Sequence, residues 1–373
     1  MKNQLRKLIK HSSNIPGWRT NRKIVVIESD DWGTIRMPSK SVQESLKKNG
    51  LDMSSVYNRF DSLASSKDLS DLFEVLNSVQ DKNNKPAIFT PISLVANPDF
   101  QKIKESGFQS YYYEPFTDTL KRYNKEDAWE FWKQGLDQGF FVPEFHGREH
   151  INVQLWLRAL QRKDKNTLIA FDHQMWDYGS DSKHGFLAAF DLEFPDDINY
   201  QKTVIEDGLK LFEKLHGYKA QLFVPPNGPF NSSLEETAFL NGIKYFSTPK
   251  IHKEPTGNGK YSTKLRWLGK KNKYNRYYLT RNAAFEPVHG RINWVDNCLS
   301  EIMMSFKWGK PAIISTHRVN YIGAIEPSNR ENGLKLLKVL LDKILKKWPG
   351  VEFMSSIDLG ALISGINKDV IKE

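Results

Sequence analysis

The chain has 373 residues, 39% of them hydrophobic and 12% aromatic, which excludes a largely disordered polypeptide and suffices for a sizeable core. Its single cysteine, Cys298, excludes an internal disulfide framework and a cysteine-rich zinc finger. A formal net charge of +10 attracts any polyanion, whether nucleic acid, membrane surface or acidic polymer, without choosing among them.

The start, "MKNQLRKLIKHSSNIPGW", is basic but lacks the apolar segment of a signal peptide, and no run in the chain is long enough to span a bilayer. The expectation is a cytoplasmic protein whose basic extension, residues 1–20, could touch a membrane surface peripherally. Next, "RKIVVIESDDWG" is a β-branched apolar run ending in acids and a glycine, the pattern of a buried strand followed by a loop. Leu69, Leu72, Phe73, Leu76 and Val79 fall on one face of a helix. "KPAIFTPISLVAN" predicts a strand, "YYYEPF" an aromatic loop, and Ala128, Phe131, Trp132 and Leu136 another helix. "QGFFVPEF" predicts a strand, "INVQLWLRALQ" a helix, "TLIAF" a strand, "YQKTVIEDGLKLFEKLHG" a helix and "KAQLFVPP" a strand. "LEETAFLNG" then reads as helical and "IKYFST" as extended, and residues 252–276, rich in Gly, Lys, Asn and Tyr, predict a basic loop insertion. "PAIISTH" is a strand, the lysines of "LKLLKVLLDKILKKW" form the solvated face of a helix, and "PGVEFMSSIDLGALI" closes with a strand and a helix. Strands alternating with helices predict an α/β fold with a parallel sheet, closed or nearly closed into a barrel and forming one domain with insertions.

In such barrels chemistry gathers on the loops after the C-terminal strand ends. Asp30 and Asp31 end the first strand, His146 and His150 follow "FFVPEF", Pro226 and Asn227 follow "QLFV", and His317 ends "AIIST". Each has an ordinary reading: acids at strand ends cap helices, and single histidines are commonly hydrogen-bonded structural residues. Histidines four apart can also meet one zinc ion, and two neighbouring carboxylates can divide labour between cation and proton. A barrel would bring all five of Asp30, Asp31, His146, His150 and His317 to one face.

The order "SDDWG", "HGREH", "VPPNG", "STH", each after a predicted strand, resembles the polysaccharide deacetylase family, carbohydrate esterase family 4. The resemblance implies a distorted (β/α)7 barrel and one divalent metal ion, most commonly zinc, held by Asp31, His146 and His150. It implies Asp30 as general base, His317 as general acid, an acetylated carbohydrate as substrate and no nucleic acid as partner. The pattern departs from the family at several positions: Trp32 is inserted before Gly33, Gly147 stands between the histidines, and Asn227 replaces an aromatic. Val224 occupies the place of the arginine that orients the base, a role for which Arg281 in "YYLTRNAAFEP" and Arg318 beside His317 are candidates. Trp32 and Trp176 are candidate sugar-stacking residues, as are Tyr111, Tyr112, Tyr113 and Tyr178, although core packing suits each of them too.

Three other readings stay open. "HGREH" matches the H-x-x-E-H pattern of a zinc protease, with Glu149 as base. Two histidines and a carboxylate also suit an iron oxygenase. The charge and Val224 suit a non-catalytic carbohydrate or polyanion binder with a relict metal site.

Overall fold

A computed structural model describes residues 12–178 and 185–365 of the chain. The basic start, Met1 to Lys10, therefore lies outside the described residues, whereas residues 16–18 are tethered to the body by Lys310, whose ammonium donates to the carbonyls of Pro16, Gly17 and Trp18.

In chain order the strands are β1 (Lys23–Trp32), β2 (Phe89–Leu94), β3 (Ala96–Pro98), β4 (Tyr113–Pro115), β5 (Glu144–Gly147), β6 (Leu222–Phe223) and β7 (Tyr245–Ser247). They continue with β8 (Ile251–Gly257), β9 (Lys260–Leu265), β10 (Tyr277–Leu279), β11 (Ala283–Ala284), β12 (Ala312–His317) and β13 (Val351–Phe353). The main sheet runs β10-β7-β6-β5-β2-β1-β12-β11 with every pair parallel, and β13 adds alongside the first residues of β1. Its two ends, β10 and β11, are consecutive in the chain. Residues 277–284 thus pair first with β7 and then with β12, and this split strand is the seventh stave of a distorted (β/α)7 barrel.

Alternation along β1 separates two cores. Ile24 and Val26 point inward and meet Ile92, Leu222, Leu279 and Ile313 in the barrel interior. Val25 and Ile27 point outward, against the helices Ser66–Asn77, Trp294–Lys307 and Pro327–Lys347. Each such fully buried aliphatic side chain contributes about 1.5–3 kcal/mol. Among the described residues no helix is long and apolar enough to cross a membrane.

Three segments differ from the sequence expectation. "TLIAF" lies in a helix, Lys165–Asp172, because Asp164 caps it through the Thr167 amide and Thr167, Ala170 and Phe171 are buried at helical spacing. "YYYEPF" contains β4, which pairs antiparallel with β3, and Phe116 then opens a helix. Residues 251–265 form an antiparallel hairpin, β8–β9, because exposed and buried residues alternate along β8, which allows one of its faces to pack on the barrel rim.

Candidate active site

β1 delivers two adjacent acids to one cleft, which a regular strand cannot do. Glu28 and Asp30 follow the inward alternation of Ile24 and Val26, so Asp31 should face the outer helices. Instead Asp31 adopts a left-handed backbone, φ 71°, within a register shift between Ser29 and Trp32. Its carboxylate turns inward, and the following Trp32 is sent out into the helix layer, against Trp132 and Phe141. Gly33 completes the turn at φ 85°; a Cβ there would stand 2.1 Å from the Leu94 carbonyl oxygen.

β5 presents His146 inward, and Gly147, at φ 153°, turns the chain so that His150 returns to the same point. His146 and His150 place Nε2 at 3.4 and 3.1 Å from one oxygen of Asp31. All three are buried, and their ligand atoms lie within 4.8 Å of one another. Donors roughly 2 Å from a common tetrahedral centre stand roughly 3.3 Å apart, close to the separation of Asp31 from each histidine. The orientation fits as well: His146 Nδ1 donates to the Val224 carbonyl at 2.5 Å, which leaves Nε2 as the nitrogen that faces Asp31. Burial pushes the Asp31 carboxyl up, but the His150 charge and hydrogen bonds from His146 and His150 outweigh it and hold Asp31 well below the ordinary carboxylate range.

Asp30 is clamped by Arg281. The two terminal nitrogens of the guanidinium each donate to one Asp30 oxygen at 2.6 Å, and its Nε donates to Glu28 at 2.6 Å. Glu28, fully buried, also accepts from Ser247 and Ser356. Burial raises the Asp30 carboxyl, yet Arg281, with His146 and His317, brings it below its ordinary value. Beside Asp30, at its register position on β12, His317 meets Glu286 through Nδ1 at 2.6 Å, and Glu286 is held in turn by Asn320. Burial lowers the His317 imidazole, but Glu286, Asp31 and Asp30 raise it to about 10. Its Nε2 is therefore a protonated donor, 3.8 Å from Asp30 and open to the cleft.

These groups line a cavity of about 560 Å³, with Asp30, Asp31, His146, His150 and Arg281 among its walls. Arg36 and Tyr57 also line it, the Tyr57 ring meeting His317 edge-on with ring centres 5.6 Å apart. Arg36 is paired with Asp177 at 2.5 Å, and its guanidinium lies 4.8 Å from the Tyr57 ring. Asn227 lies on the rim, whereas Pro226 is buried outside the cleft wall that Pro225 and Asn227 form.

Several candidates stand outside the cleft. Arg318 is wholly buried on Asp61 and the Thr34 carbonyl, because the chain turns outward after β12. Trp32 belongs to the outer core for the backbone reason given above. Trp176 lies behind the cleft, donating to the Ile35 carbonyl and stacked on His150 with ring centres 5.7 Å apart. Tyr111 and Tyr113 flank the Arg148 guanidinium. Sequence reading missed Glu28, Arg36, Tyr57, Asp177 and Glu286. Of these only Glu28 left a signal, an acid within an apolar strand two residues before Asp30.

Fold and site together define a β/α barrel with a buried Asp-His-His group able to hold a metal ion, flanked by an arginine-clamped carboxylate and a carboxylate-held histidine. No protein-family model matches the chain, and no curated protein matches it in sequence. Among solved structures it is similar to a provisionally assigned polysaccharide deacetylase from Mycobacterium smegmatis, at 11% identity and TM-score 0.46, over 94% of this chain and 93% of that one. It is similar to a provisionally assigned glycoside hydrolase/deacetylase from Parabacteroides distasonis, at 10% identity and TM-score 0.49, over 94% and 73% of the two chains. It is also similar to PuuE allantoinase, at 11% identity and TM-score 0.45, over 94% and 93%. Function has to be read from this chain's own side chains.

Proposed function

We propose that the protein is a metal-dependent hydrolase that removes acetyl groups from an N-acetylated sugar, with an O-acetylated one as the less favoured substrate. The observation that carries this reading is the acid–base pair beside the Asp-His-His group: Asp30 on Arg281 and His317 on Glu286, register partners on β1 and β12 with Nε2 3.8 Å from the carboxylate. Asp31, His146 and His150 would hold the metal. A divalent ion bound there, with zinc the first choice, supplies Lewis-acid polarisation of the acetyl carbonyl and a water of lowered pKa. Asp30, kept ionised by Arg281, accepts the proton of the attacking water. His317, kept protonated by Glu286, donates through Nε2 to the departing amine or alkoxide. Arg281 supplies from the seventh stave the orienting guanidinium that Val224 does not. Acetylated carbohydrate as substrate rests on the motif resemblance.

The protease reading needs Glu149 as base, and that carboxylate is engaged by Arg148 at 2.6 and 3.1 Å, with its side chain only 2% exposed. The non-catalytic reading rests on Val224 and on the net charge of +10; Arg281 answers the first of these and not the second.

Acetate release from a panel of acetylated glycans, with metal content measured in parallel, tests the proposal. Wild type should release acetate and bind stoichiometric metal, Asp30→Asn should bind metal without releasing acetate, and His146→Ala should do neither. Undiminished release by both variants would sink the site assignment.

A further inference from the structure

The hairpin β8–β9 rises from the rim of the cleft: Pro249 lines the cavity and β8 begins two residues later at Ile251. Its inner side is anchored. His252 bonds the Phe230 carbonyl, Ser232 donates to Glu254, and Asn231 donates to the Pro255 carbonyl. Its outer side carries Ile251 and Leu265, direct cross-strand partners that are 63% and 61% exposed. Lys253 and Thr263 are the next pair on that side, and Tyr261 is 46% exposed toward the tip. Lys253, Lys260, Lys264, Lys271 and Lys273 are all exposed, while Glu254, the single acid of residues 250–276, is buried.

We propose that this hairpin seats the rim of the cleft on an anionic lipid bilayer. An exposed aliphatic pair that shares its strand face with Lys253, on a lysine-rich hairpin whose own acid is buried and whose tip touches Asp191 through Tyr261, suits the boundary between phosphate headgroups and acyl chains. Charge complementarity selects the anionic leaflet, and the aliphatic pair selects a surface that offers hydrocarbon. A soluble polyanion gains nothing from Ile251 and Leu265. A second copy of the chain would bring two lysine-rich faces into mutual repulsion. The bilayer serves both features at once. The inference concerns a surface outside the catalytic groups and stands whether or not the chemistry proposed above is correct.

Vesicle flotation of the full chain tests it, with phosphatidylcholine vesicles compared with phosphatidylcholine–phosphatidylglycerol vesicles at low and high salt. Wild type should float with the anionic vesicles alone, and salt should weaken it. Ile251→Glu/Leu265→Glu and Lys253→Glu/Lys264→Glu should each weaken binding by about tenfold or more. Both should keep wild-type metal content and thermal midpoint; Ile251→Ser/Leu265→Ser repeats the apolar test should the glutamates disturb folding. The proposal is overturned by any of four results: no flotation, equal flotation on neutral vesicles, hairpin variants that float like wild type, or a lipid-free dimer that the same variants dissociate.

Discussion

Replacing Arg281 by Ala separates the clamp on Asp30 from everything else in the cleft. The guanidinium faces two carboxylates, Asp30 and Glu28, which are 6% and 0% exposed. Removing one partner of a buried ionic cluster costs about 3–5 kcal/mol, because the remaining charges stay desolvated. For a chain of this length that lowers the thermal midpoint by about 4–6 °C. The pH dependence has a definite sign. The Asp30 carboxyl is depressed in the folded protein, so its contribution to stability is present above the ordinary carboxylate pKa and fades as pH falls through the folded value. Without Arg281, burial dominates and the Asp30 carboxyl rises. Arg281→Ala should therefore lose most stability at neutral pH and progressively less as pH falls through the carboxylate range, while the acidic limb of its acetate-release profile moves up by about 1–3 pH units. Arg318→Ala is the control: it breaks a comparably buried pair, with Asp61, but should leave that limb in place. Thermal denaturation of metal-free protein across that pH range and an initial-rate profile give the readouts. An unmoved acidic limb in Arg281→Ala, or an equal movement in Arg318→Ala, would refute the clamp.

Glu286→Gln removes the charge that holds the His317 imidazole at about 10, so the alkaline limb of the rate profile should fall by about 1–3 pH units while metal content stays unchanged. His317 has a raised folded pKa, so its pairing stabilises the protein fully below the ordinary imidazole pKa and is lost as pH rises toward 10; the variant's deficit in thermal midpoint should accordingly be largest on the acid side of that ordinary value and shrink as pH rises toward 10. Glu149→Gln leaves Arg148 with Asp207 as its acidic partner and should cost about 1–3 kcal/mol in chemical denaturation, yet keep its metal and retain activity better than Asp30→Asn. The reverse ranking would revive Glu149 as a base. Gly33→Ala forces a Cβ against the Leu94 carbonyl at a positive φ, and should cost more than about 2 kcal/mol with loss of bound metal, read by denaturation and metal analysis.

Sequence alone determined most of the barrel and the identity of its metal-ligand candidates. Alternating apolar runs carry strand and helix periods locally, and "SDDWG", "HGREH" and "STH" each follow a strand that the chain's own pattern declares. Short apolar runs escaped this logic: "TLIAF" is equally apolar as strand or helix, and only the cap at Asp164 and packing against neighbouring helices decide it. Tertiary structure alone decided how the site is armed. Two adjacent acids share a cleft because a left-handed residue interrupts β1. Of two candidate arginines, Arg281 reaches Asp30 because the split seventh stave returns beside β12, whereas Arg318 is carried outward. Glu286 finds His317 across 31 residues of chain. Such pairings follow from strand order and backbone handedness, which emerge when distant segments close the barrel.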